Sequence, residues 1–232
     1  MPRVQTGDAA YYAGLYATAA IPARYTVERH QWAEAAALKL PANVFPGGPY
    51  AWCESDFYFA RALGAARLGH VAAAQAAIRP LESLRDTLLH AGDNYSADQV
   101  TIQLEAVTAW ITLAEGDKAT ALHQMRAAAD HEDATEKAAV TPGAIVPARE
   151  QLGEMLLQLK KPSLAFEAFV DVLRVSPERF GALHGAALSA RDAGYDAKAE
   201  FYYRKLRSNC QHGDAALPAI LEATSFLNNR NH

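Results

Sequence analysis

Two histidines beside a run of acids invite a metal-binding reading of this chain. His123 and His131 flank the end of an expected helix, with Glu132 and Asp133 next to the second. Imidazole and carboxylate can together hold a divalent cation, but zinc needs three or four ligands converging at about 2 Å. His131 falls in an expected loop over 130–146, and no histidine pair has the HExxH or HxxxH spacing that sets two imidazoles on one helix face. The grouping reads as solvated histidines; a metal-binding or enzyme-accessory role for the loop is the alternative. Loops of this length are commonly functional or disordered. Glu150 and Glu154, at i and i+4, form either a solvated face or a site for a cation or basic peptide. Cys53 and Cys210 lie far apart with no CxxC, which gives two unpaired thiols. There is no GxSxG and no glycine-rich phosphate loop, so nucleophilic catalysis and a bound cofactor have no support.

The elements that must position these residues are helices. Apolar residues recur at helical spacing almost throughout and no segment alternates like a strand, so the fold is all-α. Helices are expected over 8–26, broken or kinked near Pro22, and over 31–39, where Trp32, Ala35, Ala36 and Leu38 supply the buried side. Pro41, Pro46, Gly47, Gly48 and Pro49 make 40–50 a loop. Further helices are expected over 55–68, 71–90, 96–114 and 119–129, then two more hairpins over 147–206 and a last helix over 214–226. Turns fall at Gly69, Gly92, Gly116, Lys160 and Gly194.

Charge and hydropathy exclude some partners. The net charge is −4 and the pI about 6.1, and no run of Lys and Arg is long enough to serve as a nucleic-acid surface. No apolar run reaches the ~18 residues of a membrane span, so membrane insertion is not expected. Met1 to Asp8 has no apolar signal-peptide core, which favours the cytoplasm.

The last two hairpins repeat each other. Leu152-Gly153, Leu156, Ala165 and Phe169 recur as Ala186-Ala187, Ala190, Ala199 and Tyr203, and Pro177 closes the first copy. A unit of this kind buries its apolar face only by stacking on its neighbour. Arg149-x-x-Leu152-Gly153-x-x-Leu156 with Ala165, Phe169 and Pro177 resembles the tetratricopeptide repeat (TPR). Arg149, Leu156 and Lys160 stand where that family often has tryptophan, tyrosine and glycine. The clear resemblance covers 147–206; the hairpins over 8–130 are degenerate. Segments 132–137, 140–143 and 147–150 also look like the C-terminal part of larger bacterial TPR-containing proteins of unassigned role, with Ala138, Ala139 and Ala144 departing from the prolines and histidine expected there. That likeness suggests that an N-terminal part of the array is missing, leaving Tyr11, Tyr12, Leu15 and Tyr16 exposed for self-association as a homodimer.

The resemblance implies a right-handed α-solenoid of about ten or eleven helices, a single domain over 1–232, in which the first helix of each hairpin lines a concave groove. The residues it places there are Gln103, Ala106 and Trp110, then Glu150, Glu154 and Leu157, then His184, Leu188 and Arg191. Glu150 and Glu154 would repel a carboxylate, so no clamp for a partner's C-terminus is expected. Trp110 either anchors a partner side chain or packs between hairpins. The implied function is a non-catalytic scaffold that binds a protein or peptide.

Overall fold

The computed structural model describes residues 9–41, 45, 52–135 and 144–229. Among these it is all-α: eleven helices and no strand. In order they are α1 (Ala9–Glu28), α2 (Trp32–Ala36), α3 (Ser55–Arg67), α4 (Val71–His90), α5 (Asn94–Ala114), α6 (Lys118–Ala134), α7 (Ala148–Gln158), α8 (Pro162–Val175), α9 (Phe180–Asp192), α10 (Asp196–Asn209) and α11 (Pro218–Asn229). Most of the expected 40–50 loop lies outside the described residues, as do 136–143, including Lys137, and the side chains of Tyr11 and Tyr12.

One backbone device ends six of the helices. After α3, α4, α5 and α9 the chain passes through a left-handed glycine, Gly69, Gly92, Gly116 or Gly194. After α1 and α7 the same conformation falls on His30 and Lys160. At each, two backbone bonds close the end; for α7 they are Lys160 N–H to Leu157 C=O (3.0 Å) and Lys161 N–H to Leu156 C=O (2.9 Å). This is the Schellman pattern, which satisfies carbonyls that the helix leaves bare. The following helix then starts with little delay. Asp93 accepts from Ser96 N–H (3.1 Å) and Asp117 from Thr120 N–H (3.0 Å), capping α5 and α6.

Three boundaries differ from expectation. Pro22 lies inside α1 without ending it. The Asp93 cap starts α5 at Asn94 rather than at residue 96. Helix α6 runs to Ala134 rather than stopping near 129, because His131 and Glu132 are held by partners inside the fold.

The described chain clusters into two compact units, Met1–Ala148 and Arg149–His232. In the first, α3 packs on α1, α2, α4 and α5, while α4 and α6 both pack on α5. Phe57, Phe59, Leu63, Leu81, Trp110 and Met125 fill its core. Leu15 is 5% exposed and the Tyr16 ring lies 5.7 Å from Trp52, so this part of α1 faces inward and is not the open apolar surface expected for self-association. In the second unit α8 packs on α9, α9 on α10 and α10 on α11, around Phe169, Leu183, Tyr203 and Leu206. The Phe169 ring sits so close to two helices that a Cβ on Gly153 or Gly185 would lie 2.7 or 2.4 Å from it. Among the described residues no helix is long and apolar enough to cross a membrane.

Candidate binding surfaces

The residues expected to line a groove separate into an interior set and a surface set. Trp110 is 2% exposed, and Arg67 covers its ring at 4.1 Å, so it packs and does not anchor a partner. Ala106 is buried, and Gln103 turns inward to donate to Asp56 Oδ1 at 3.1 Å. The reason is that α5 is packed by α3, α4 and α6, which turns this stripe toward the interior. Glu150 is not a solvated acid either: it is buried and held by the Arg179 guanidinium through Nε and Nη2 (the latter at 3.2 Å). Glu154 is half-buried on α7.

His184 and Arg191 do come together, on Glu222, a residue that no sequence pattern singles out. His184 Nε2 lies 3.0 Å from Glu222 Oε2, and the Arg191 guanidinium and Tyr203 hydroxyl both donate to Glu222 Oε1, the latter at 2.7 Å. The hydrogen bond from His184, ahead of those from Tyr203 and the charge of Arg191, holds the Glu222 carboxyl down at about 2. Burial and the bond to Glu222 push the Tyr203 phenol up. The cluster ties α11 to α9 and α10. Glu222 is separated from His184 by a whole hairpin, and no local pattern marks it.

The described residues of the first unit form a cleft of about 400 Å³. Its floor is Thr101, Leu104, Glu105 and Thr108, an i, i+3, i+4, i+7 stripe of α5. One wall is Glu82 and Arg85 of α4, the other Gln124 and Ala127 of α6. A stripe with this spacing is apolar when a neighbour covers it; here only Leu104 is, and the face stays open. Beside it, His131 bridges two carboxylates, with Nδ1 2.9 Å from Glu105 and Nε2 3.1 Å from Asp98. Two acceptors on one ring require both nitrogens protonated, and the Glu105 bond first of all raises the His131 pKa. The Arg85 guanidinium is taken up by Asp86, at 2.9 and 2.8 Å. The cleft therefore holds Glu82 together with a Glu105 already paired with His131, against an arginine paired with Asp86. Gln124 adds a buried Oε1 without a partner among the described residues.

Metal and thiol chemistry find little to use. His123 stands exposed and His131 spends both nitrogens on carboxylates; among the described residues no three His, Cys, Asp or Glu are grouped to hold a metal ion. Glu132, beside His131, is buried and accepts from the Ala148 N–H. Burial, reinforced by the nearby acids Asp56 and Glu54, pushes the Cys53 thiol up to about 12, which suppresses the thiolate. Cys210 is half-buried, and burial raises it too.

Comparison with protein-family models, curated proteins and solved structures finds no match to this chain.

Proposed function

We propose that this chain is a non-catalytic binding scaffold of the TPR-like kind, and that it takes a basic segment of a protein partner in the cleft between α4 and α6. The observation that carries this is the polar, open stripe of α5. It sits where a covered helix face would be apolar, and it presents Glu82 and Glu105 with hydroxyls and a carboxamide on either side. The Glu82 carboxylate beside a small apolar patch, Leu104 and Ala127, suits a lysine or arginine side chain, whose stem lies on the patch while its head meets the acid.

The test uses two exposed wall residues, so that the fold is not at stake. Glu82→Lys with Ala127→Arg reverses one charge and blocks the floor. Screened on a peptide array and then titrated against the best basic peptide, the double variant is expected to bind at least about tenfold more weakly, with an unchanged circular dichroism melt. Unchanged affinity would remove the cleft from consideration.

A second reading keeps the partner on the α7 and α9 surface that the repeat pattern implies. It is favoured by Glu154, His184 and Arg191, which stay half-buried at the surface and are not sealed in the core. Glu154→Lys is its separate test, and loss of binding in that variant alone, with an unchanged circular dichroism melt, would move the site there.

A further inference from the structure

Asp56 lies in the first turn of α3 and is 5% exposed. Gln103 of α5 donates from Nε2 to its Oδ1 at 3.1 Å. Two atoms of the same pair are left over. Asp56 Oδ2 and Gln103 Oε1 are both buried, and neither has a partner among the described residues. Both are acceptors while the carboxyl is ionised, and buried acceptors without donors are costly. One proton removes both faults. A hydroxyl at Oδ2 can donate to Gln103 Oε1 while Gln103 Nε2 donates to Oδ1, so that acid and amide close a two-bond ring.

We propose that Asp56 is a neutral carboxylic acid in the folded chain and that, with Gln103, it forms a proton-dependent latch between α3 and α5. The surroundings favour the neutral form. From α1, Tyr16 and Arg24 bear on the carboxyl; from the turn at 52–54, Cys53 does; from α5, Gln103. Arg24 is exposed, and α2 and α4, the other helices packed on α3, bring no charged group that shifts it. Burial therefore outweighs the arginine and the amide bond and lifts the carboxyl to about 7.

The sign follows. An unfolded aspartate titrates near its ordinary value of 3.8, and the folded one at about 7. The folded chain holds the proton more tightly, so the latch contributes in full below about 3.8 and is lost as pH rises through about 7. Above that, a charge is buried with one hydrogen bond.

Two measurements on the full chain decide it. Carboxyl carbon NMR should show Asp56 titrating near neutrality, with the Gln103 side-chain amide protons shifting at the same midpoint. Urea unfolding followed by tryptophan fluorescence should show the folding constant falling by about two to three orders of magnitude from about pH 4 to about pH 8. Asp56→Asn supplies the donor permanently and should flatten that part of the slope while keeping the acid-side stability. An Asp56 carboxyl titrating near 4, a Gln103 amide that ignores the titration, or an Asp56→Asn chain with the wild-type slope would each overturn the latch. Should Asp56→Asn fail to fold, the NMR titration of the unaltered chain decides alone.

Discussion

Lys160 holds a left-handed backbone, φ +59°, at the place that glycine fills after α3, α4, α5 and α9. For an L-residue that conformation crowds Cβ against the following carbonyl and costs roughly 1–2 kcal/mol. Glycine would remove the clash but adds freedom to the unfolded chain, a loss of about 0.5–1 kcal/mol. The clash is the larger effect, so Lys160→Gly is expected to stabilise the second unit by up to about 1 kcal/mol, read as a higher urea midpoint. A lower midpoint would mean that the lysine side chain contributes something the backbone geometry does not reveal. Glu222 shows the opposite case at this scale, a residue whose value lies wholly in partners. It gathers an imidazole, a guanidinium and a phenol, and none of the three is near it in sequence.

Between elements, the clearest joint is a guanidinium between two indoles. Arg67, the last residue of α3, lies 4.3 Å from the ring of Trp32 in α2 and 4.1 Å from that of Trp110 in α5, and His30 stacks on Trp32 at 4.9 Å. Each cation–π contact is worth about 0.5–2 kcal/mol, more as it is desolvated. Arg67→Ala is therefore expected to cost about 1–3 kcal/mol in urea unfolding. Arg67→Lys should recover only part of this, because an ammonium lacks the planar face that stacks on both rings; full recovery would reduce the joint to charge alone. Such joints also mark what was legible. The helix ends at Gly69, Gly92, Gly116 and Gly194 could be read because left-handed turns select glycine, and Lys160 because the repeat placed a turn there. His30 could not, since histidine only modestly favours the left-handed region and no glycine or repeat position marks a turn there. The groove projection set Gln103 and Trp110 facing outward, whereas both turn toward the interior, for a related reason. It assigned faces from repeat position, whereas burial is set by how many neighbours cover α5, and that is a tertiary fact. Asp56 with Gln103 and Glu150 with Arg179 are pairs of distant residues, and spacing within one helix carries no trace of them.

At the scale of the whole molecule, the two compact units can be followed separately. All three tryptophans, Trp32, Trp52 and Trp110, belong to the first unit, and residues 149–232 contain none. Tryptophan fluorescence thus reports the first unit, while far-ultraviolet circular dichroism reports helices of both. Phe169 is the place to separate the two signals, because its ring fills the space left by Gly153 and Gly185 and is 1% exposed. Removing a buried phenylalanine costs about 3–5 kcal/mol when the site cannot collapse. Phe169→Ala should therefore lower the circular dichroism transition of the second unit and leave the fluorescence midpoint where it is. Combined with Arg67→Ala, it should shift each signal by the amount of the single variant that belongs to it. If the fluorescence midpoint instead falls together with the circular dichroism, the units unfold as one cooperative block.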